Sequence, residues 1–209
     1  VESKSMKRYV PKVEDAVIGI IEEKLSGFYR VGINGTLPGT LPFLAFEGAT
    51  KRTKPTLKIG DLVYVRIISA PKDIEPELSC IAIYGTNRKG WETGEATFGI
   101  LNGGNIIKCT LSQSETLRQQ SINQNQNHHD DHSVFKELEK QQEGIKYECV
   151  IGCNGMIWIN ASTPQLIICL TNVIKNSFVV KNDEIKSMIK KIFELNRDRI
   201  VDNEDEEEE

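Results

Sequence analysis

The sequence lacks the features that mark membrane and secreted proteins. No apolar run approaches the roughly 20 residues that a membrane-spanning helix needs. The first twelve residues have no apolar core of the kind found in signal peptides. Five cysteines are scattered without a CxxC pair, which predicts reduced, buried thiols in a cytosolic or nuclear protein. We therefore expect no membrane partner.

Signatures of catalysis and of metal binding are also missing. There is no P-loop, no dinucleotide fingerprint and no Ser/His/Asp set. Cys149 and Cys153 are four residues apart, but no matching Cys or His pair flanks them, so the spacing does not indicate zinc. His128, His129 and His132 lie in a polar segment with no surroundings to hold ligand geometry. We expect no catalytic residue, no metal and no cofactor.

Three acidic residues keep an enzyme open as an alternative. Asp73, Glu75 and Glu77 alternate, and on a strand they would share one face, as a magnesium-dependent nuclease requires. Pro71 and Pro76 interrupt the segment, which favours a loop.

Most of the negative charge lies at one end of the chain. The last eight residues, DNEDEEEE, contain seven acids, and without them the net charge would change from −4 to +3. Such a block is typical of a solvated, disordered tail. The rest of the chain is mildly basic, which is compatible with a polyanionic partner.

The first half of the chain has the pattern of a small all-β barrel. Short runs rich in β-branched and aromatic residues follow one another with turn signals between them. The predicted strands are 16–24, 27–33, 40–46, 62–69 and 76–84. A polar, basic loop at 47–58 joins the third strand to the fourth, and 85–104 is a Gly- and Asn-rich connector.

The second half mixes strands and helices around KYECVIGCNGMIWINA at 146–161. Asn154-Gly155 tolerates positive φ angles, so the apolar runs beside it predict a β-hairpin with a tight two-residue turn. Thr163 and Pro164 predict the start of an amphipathic helix, and Asn182-Asp183 predicts the start of another. A further strand is predicted at 105–111 and a helix at 134–142. The polar, low-complexity segment 113–132 is expected to be a loop or a frayed helix.

Short motifs in both halves resemble those of RNA-binding domains. Val17, Gly19 and Ile21 with GFYRV at 27–31 and GDLV at 60–63 resemble an S1 domain, a member of the OB-fold group. The G-x-N-G turn of the second half resembles the KH-type domain that follows S1 in cap subunits of the RNA exosome.

Two longer strings narrow the resemblance to S1/KH cap subunits of the component-three type. They are FEGATKRTKPTLKIGDLVY at 46–64 and CNGMIWI at 153–159, and the resemblance spans about residues 9–195. Members of this family carry a further N-terminal β domain. Because that domain is missing and the chain begins with Val1, we expect a fragment.

The resemblance implies a mixed β and α+β fold, in which a five-stranded S1 (OB-fold) β-barrel precedes a KH-like α+β domain. The implied segments are a residual linker at 1–8, the barrel at 9–84, a connector at 85–97, the KH-like domain at 98–199 with the insertion 113–132, and an acidic tail at 200–209.

The function implied by the resemblance is that of a non-catalytic RNA-binding cap subunit. Such a subunit stabilises the ring of RNase PH-like proteins and guides RNA into it for 3′-to-5′ processing and degradation. The implied partners are RNA, the ring subunits and other cap subunits, in the nucleus, the nucleolus and the cytoplasm. A stand-alone S1/KH RNA-binding protein in translation or RNA metabolism is the alternative.

Aromatic rings on the barrel are the first candidate RNA contacts. OB barrels stack bases on such rings beside cations that follow the phosphates. Tyr29 and Phe43 fall where the S1 pattern places stacking groups, and strand alternation sends Phe28 to the core. A core or interface role is the alternative for Phe43.

Cations of the same barrel are the second group of candidate RNA contacts. Lys51, Arg52 and Lys54 are clustered on a turn, where they are predicted to meet phosphates, although an ordinary solvated loop has the same composition. Arg30 and Lys58 are further candidates.

Gly152, Asn154 and Gly155 are predicted to have a structural role. In most KH domains a GxxG loop joins two helices and clamps the nucleic-acid backbone. Here the flanking segments are predicted as strands, so no helix N-terminus points at a phosphate. We expect the two glycines to allow close packing against the barrel.

Overall fold

A computed structural model describes residues 8–82, 90–93, 96–125, 134–141, 146–181 and 184–201. The chain forms two compact units that interleave along the sequence. The first comprises Val1–Asn102, Lys108–Ser114 and Val150–Ile157, and the second comprises Gly103–Ile107, Glu115–Cys149 and Trp158–Glu209. The predicted domains are continuous segments instead, and their boundaries stay predictions.

The first unit contains a closed five-stranded β-barrel, as predicted. The strands follow the order β1-β2-β3-β5-β4, and β1 also pairs with β4, which closes the barrel. A sixth strand, β6, pairs with β4 in the segment that was predicted as a connector. The strands are β1 Ala16–Lys24, β2 Phe28–Gly32, β3 Gly39–Pro42, β4 Leu62–Ser69, β5 Glu77–Ser79 and β6 Gly99–Leu101.

The barrel encloses an apolar core because alternate residues of each strand point inward. In the pairing of β1 with β4, Val17 lies opposite Val65 and Gly19 opposite Val63. A Cβ atom on Gly19 would lie 2.3 Å from a methyl group of Val31, so this position has no room for a side chain. The other fully buried residues of the core include Ile33, Leu41, Phe46, Ile67 and Leu78.

The second unit contains most of a small sheet together with helices, which fits the predicted α+β class. The sheet has the order β7-β9-β8, with β7 Asn105–Lys108, β8 Tyr147–Ile151 and β9 Met156–Ala161. Thr163 caps the helix that follows β9, and its hydroxyl oxygen accepts a hydrogen bond from Leu166 N at 3.4 Å. The helices are α1 Leu111–Asn125, α2 Val134–Gln141, α3 Pro164–Ser177 and α4 Ile185–Val201.

The apolar stripes of these helices are buried as the helical spacing predicts. In α3 the stripe contains Leu166, Cys169, Leu170, Val173 and Ile174, and in α4 it contains Ile185, Ile189 and Phe193. In the part of the chain that the structure describes, no helix combines the length and the apolar character needed to cross a membrane.

Several local predictions differ from the structure. Strands β3 and β7 are shorter than predicted, since β3 ends at Pro42 and β7 ends at Lys108. The segment at 113–132 begins as the well-formed helix α1, while its last residues lie outside the described ranges. The turn between β8 and β9 has four residues rather than two, and among them only Gly155 has a positive φ, of 74°.

Candidate nucleic-acid interface

The loop between β3 and β4 presents three cations to solvent. Lys51, Arg52 and Lys54 are all exposed. Among the described residues, none of the three forms an ion pair with a carboxylate. A turn shapes the loop, since Thr50 N donates to Thr53 O at 2.7 Å and Thr53 N donates to the Thr50 hydroxyl at 3.0 Å. The positive charge of this basic loop is therefore open to an anionic ligand.

Tyr29 anchors the end of the basic loop from inside the barrel. Its side chain is 1% exposed. Its hydroxyl donates a hydrogen bond to Pro55 O at 3.0 Å and accepts one from Leu57 N at 3.0 Å. These two bonds fix the backbone directly after Lys54, and they satisfy a polar group that would otherwise be costly to bury.

The prediction that Phe28 faces the core and Tyr29 faces the RNA is therefore wrong. Tyr29 belongs to the core, whereas Phe28 is half-buried and is not part of the core cluster. The burial of Tyr29 leaves no open ring face on which a base could stack.

Phe43 packs against Tyr29 and lies close to two lysines. Its half-buried ring lies 4.6 Å from that of Tyr29, centroid to centroid, with 55° between the ring planes. The ammonium nitrogen of Lys54 lies 5.1 Å from the Phe43 centroid, and that of Lys24 lies 5.9 Å from both centroids. Each distance is within the range of a cation–π interaction. We call Lys24, Phe43 and Lys54 the lysine–phenylalanine cluster.

Sequence reasoning did not find Lys24. The residue ends β1 directly opposite Tyr29 in the register of β1 and β2. Only strand pairing brings it near Phe43, which follows β3 and donates its backbone N–H to Gly27 O at 3.1 Å. A signal could have come from the predicted β1–β2 turn, because its register pairs Lys24 with Tyr29.

Among the described residues, neither Arg30 nor Lys58 takes part in the cation–π contacts of this cluster. Arg30 forms ion pairs with Glu23 at 2.9 Å and with Glu75 at 3.2 Å, and its side chain is only 35% exposed. Its charge is already compensated, which makes it a poor phosphate ligand. Lys58 is exposed, its backbone N–H donates to Asp61 Oδ2 at 2.7 Å, and no described carboxylate forms an ion pair with its side chain.

The three acidic residues of the nuclease alternative do not form a site. Glu75 binds Arg30 and accepts a hydrogen bond from the Thr40 hydroxyl at 3.1 Å. Asp73 is exposed in a turn with a φ of 64°, and Glu77 is exposed on β5. The described ranges contain no group of three His, Cys, Asp or Glu residues that could hold a metal ion. His128, His129 and His132 lie outside those ranges.

No disulfide bond joins any of the five cysteines, Cys149 and Cys153 included. Burial raises the pKa of the Cys109 thiol to about 11 and that of the Cys149 thiol to about 12. Both thiols are protonated at neutral pH and are therefore weak nucleophiles and weak metal ligands.

Asn154 of the four-residue turn is fully buried and bonds to the barrel backbone. Its side-chain amide donates to Ile18 O at 2.7 Å and to Ile33 O at 2.9 Å. Its side-chain oxygen accepts from Ile18 N at 3.3 Å. The pairing of β2 with β1 begins only at Ile20, so Asn154 takes the place of a strand beside Ile18. In return, the Asn34 side chain donates to Asn154 O at 2.9 Å.

The glycines on either side of Asn154 lie against backbone. A Cβ atom on Gly152 would lie 2.9 Å from Ile18 N, and one on Gly155 would lie 2.7 Å from Cys109 O. Neither position can accept a side chain without a shift of the backbone. The turn is thus buried within the first unit and presents no open loop for a phosphate.

The closed barrel and the α+β unit define a protein with one S1 domain and one KH domain. Residues 9–91 match the family described as exosome complex component RRP40, S1 domain, and residues 104–165 match the family described as KH domain. The chain belongs to the RRP40 family of exosome complex components.

Curated relatives support this membership. A Dictyostelium discoideum protein assigned as exosome complex component rrp40 is 36% identical over 190 residues, which cover 91% of this chain and 71% of that protein. Exosome complex component RRP40 of Saccharomyces cerevisiae is 32% identical to this chain, and the match covers 90% of this chain and 73% of the yeast protein. The human RRP40 is 33% identical over 90% of this chain, which spans only 61% of the human protein.

A solved structure has the same fold. It is the crystal structure of a protein assigned as an exosome complex RNA-binding protein, and it is 19% identical to this chain. The TM-score is 0.66, with 90% of this chain and 99% of the other covered. At this identity the likeness concerns the fold alone.

Proposed function

We propose that this chain is a non-catalytic RNA-binding cap subunit of the RNA exosome. In this role it stabilises the ring of RNase PH-like subunits, contacts other cap subunits and guides RNA toward 3′-to-5′ degradation and processing. We also propose that it acts in the nucleus, including the nucleolus, and in the cytoplasm. Membership of the RRP40 family supports the assembly, and the basic loop supports the contact with RNA.

The observation that carries the RNA contact is the unpaired charge of the basic loop. Lys51, Arg52 and Lys54 are exposed, and no described carboxylate pairs with them. The buried hydroxyl of Tyr29 holds the adjacent backbone in place. A loop that is fixed at its base loses less conformational entropy when it binds a ligand.

The first experiment tests the assembly. The tagged full-length protein is purified from its own cells, and the size and composition of the recovered material are measured. Recovery in a large stoichiometric complex with RNase PH-like subunits is expected. Recovery as a monomer or with ribosomes would instead favour a stand-alone RNA-binding protein and would refute the cap role.

The second experiment tests the basic loop within the assembled complex. Reversing Lys51, Arg52 and Lys54 together to Glu should reduce RNA crosslinking and leave the fold intact, because all three side chains are exposed. The matched control reverses three other exposed lysines, which gives the same change in net charge. They are Lys72, Lys146 and Lys181. Equal crosslinking losses in the two triple variants would show that the loop has no special role.

A further inference from the structure

The lysine–phenylalanine cluster places two ammonium groups beside one aromatic ring. Lys54 lies over the face of Phe43 at 5.1 Å, and Lys24 lies at 5.9 Å from the same centroid. Both lysines are exposed, and neither forms an ion pair with a described carboxylate. Because both ammonium groups lie within about 6 Å of one ring centroid, an anion bound beside Phe43 would be close to two positive charges.

The geometry disfavours Phe43 as a stacking platform. Tyr29 packs against the ring, and Lys54 covers its face. A base could stack on Phe43 only if it displaced the Lys54 ammonium group and broke a cation–π contact. The same arrangement suits a phosphate, which would bind the ammonium groups where they already are.

We propose that Phe43 is a positioning residue, which holds Lys24 and Lys54 in place so that they bind adjacent phosphates of the RNA backbone. Lys24 is then a further RNA-binding residue, contributed by β1 rather than by the basic loop. This proposal rests on the proposed function, because it specifies how the same barrel surface binds RNA. It predicts recognition of the backbone without preference for a base.

Salt dependence separates a phosphate contact from base stacking. The affinity of the assembled complex for an oligouridylate of about 12 nucleotides is measured at several salt concentrations. Lys24→Ala should make the slope of log affinity against log salt shallower by about 0.7, which is one lost single-strand phosphate contact. Lys72→Ala, which removes an exposed lysine that lies over no described aromatic ring, is the control and should leave the slope unchanged.

A double-mutant cycle separates positioning from stacking. Phe43→Leu should weaken binding about two- to fivefold, the size of an exposed cation–π contribution. In the Lys24→Ala/Lys54→Ala background the same substitution should have no further effect, because the groups that Phe43 positions are gone. If Phe43→Leu weakens binding equally in both backgrounds, the ring stacks a base and the proposal is wrong.

The outcomes also distinguish this proposal from the proposed function. If the unmodified complex shows no RNA contact through this chain, the proposed function itself fails. If RNA is bound but Lys24→Ala leaves the salt slope unchanged, only the lysine–phenylalanine proposal fails. Lys24 is exposed, so this second result is available even if Phe43→Leu does not fold.

Discussion

Replacing Asn154 with alanine should lower the stability of the first unit by several kcal/mol. The side chain makes three hydrogen bonds to backbone atoms of Ile18 and Ile33, and the residue is 0% exposed. Alanine would leave two carbonyl groups and one N–H group without a partner. A buried group that loses its partner costs about 1–3 kcal/mol.

The longest of the three bonds, at 3.3 Å, is the weakest, and water can enter part of the space that the amide leaves. The expected loss is therefore about 3–5 kcal/mol, below the maximum for three groups. Asn154→Asp should cost at least as much at neutral pH, because a carboxylate cannot donate and would face two carbonyl oxygens. Its cost should decrease at acidic pH, where the protonated carboxyl group can donate once.

Urea unfolding followed by circular dichroism measures the effect, and Asn34→Gly provides the control. Asn34 is exposed and its side chain donates a hydrogen bond to Asn154 O. Glycine adopts the φ of 59° at this position without strain, so the replacement should cost less than about 1.5 kcal/mol. If Asn154→Ala is no less stable than Asn34→Gly, the buried amide is not what holds the turn to the barrel.

Two further predictions concern the buried Tyr29 and the half-buried Cys109. Tyr29→Phe should lower the free energy of unfolding by about 1–3 kcal/mol, because the N–H of Leu57 and the carbonyl of Pro55 lose their partner; an unchanged urea midpoint would contradict this. Cys109 should react with iodoacetamide at pH 8 about 100-fold more slowly than free cysteine, because burial raises its pKa from 9.0 to about 11 and lowers the thiolate fraction. The native state favours the protonated thiol, so this contribution to stability is present below pH 9 and is lost as the pH rises through about 11. Mass spectrometry of the alkylated peptide measures the rate. If Cys109 reacts as fast as free cysteine, its pKa is not raised and the prediction is wrong.

Segments with a complete local signal could be predicted from the sequence. The bounds of β1, Ala16–Lys24, and of β4, Leu62–Ser69, agree with the prediction because both strands are rich in β-branched residues. Thr163 and Pro164 carry the whole signal of a helix start in two adjacent residues. None of these predictions required knowledge of a distant partner.

Predictions failed where distant partners decide the outcome. Alternation in β2 shows that Phe28 and Tyr29 face opposite sides, but not which side is inside. The hydroxyl of Tyr29 can be buried only because Pro55 and Leu57, 26 and 28 residues away, satisfy it. The sequence predicts a turn at Asn154 but not the hydrogen bonds of its side chain, because its partners Ile18 and Ile33 lie far away in the sequence.

The polar composition of residues 113–132 did not predict a regular helix, although a local signal for the start of α1 was present. Thr110 and Gln113 form a capping box, in which Gln113 N donates to the Thr110 hydroxyl at 3.2 Å and Thr110 N donates to Gln113 Oε1 at 2.9 Å. Ser114 is buried at a position where an apolar residue would have completed the pattern, and its hydroxyl donates to Leu111 O at 3.0 Å.

In the candidate site, too, local features could be predicted from the sequence and contacts between distant residues could not. The exposure of Lys51, Arg52 and Lys54 follows from a polar loop composition, and it could be predicted. The pairing of Arg30 with Glu75 and the position of Lys24 depend on how strands are arranged around the barrel. Charge alone made Arg30 a candidate, and only the structure shows that its charge is compensated.

The contact between Ile18 and Asn154 also sets an order of events during synthesis. The two residues are 136 positions apart, and at about 5–20 residues per second a ribosome needs on the order of ten seconds to make that interval. Until then the backbone of Ile18 is an open strand edge, which can bind water, a chaperone or another nascent chain. A nascent chain that stalls after β6 can pair the strands of its barrel, but it still presents this edge to its neighbours.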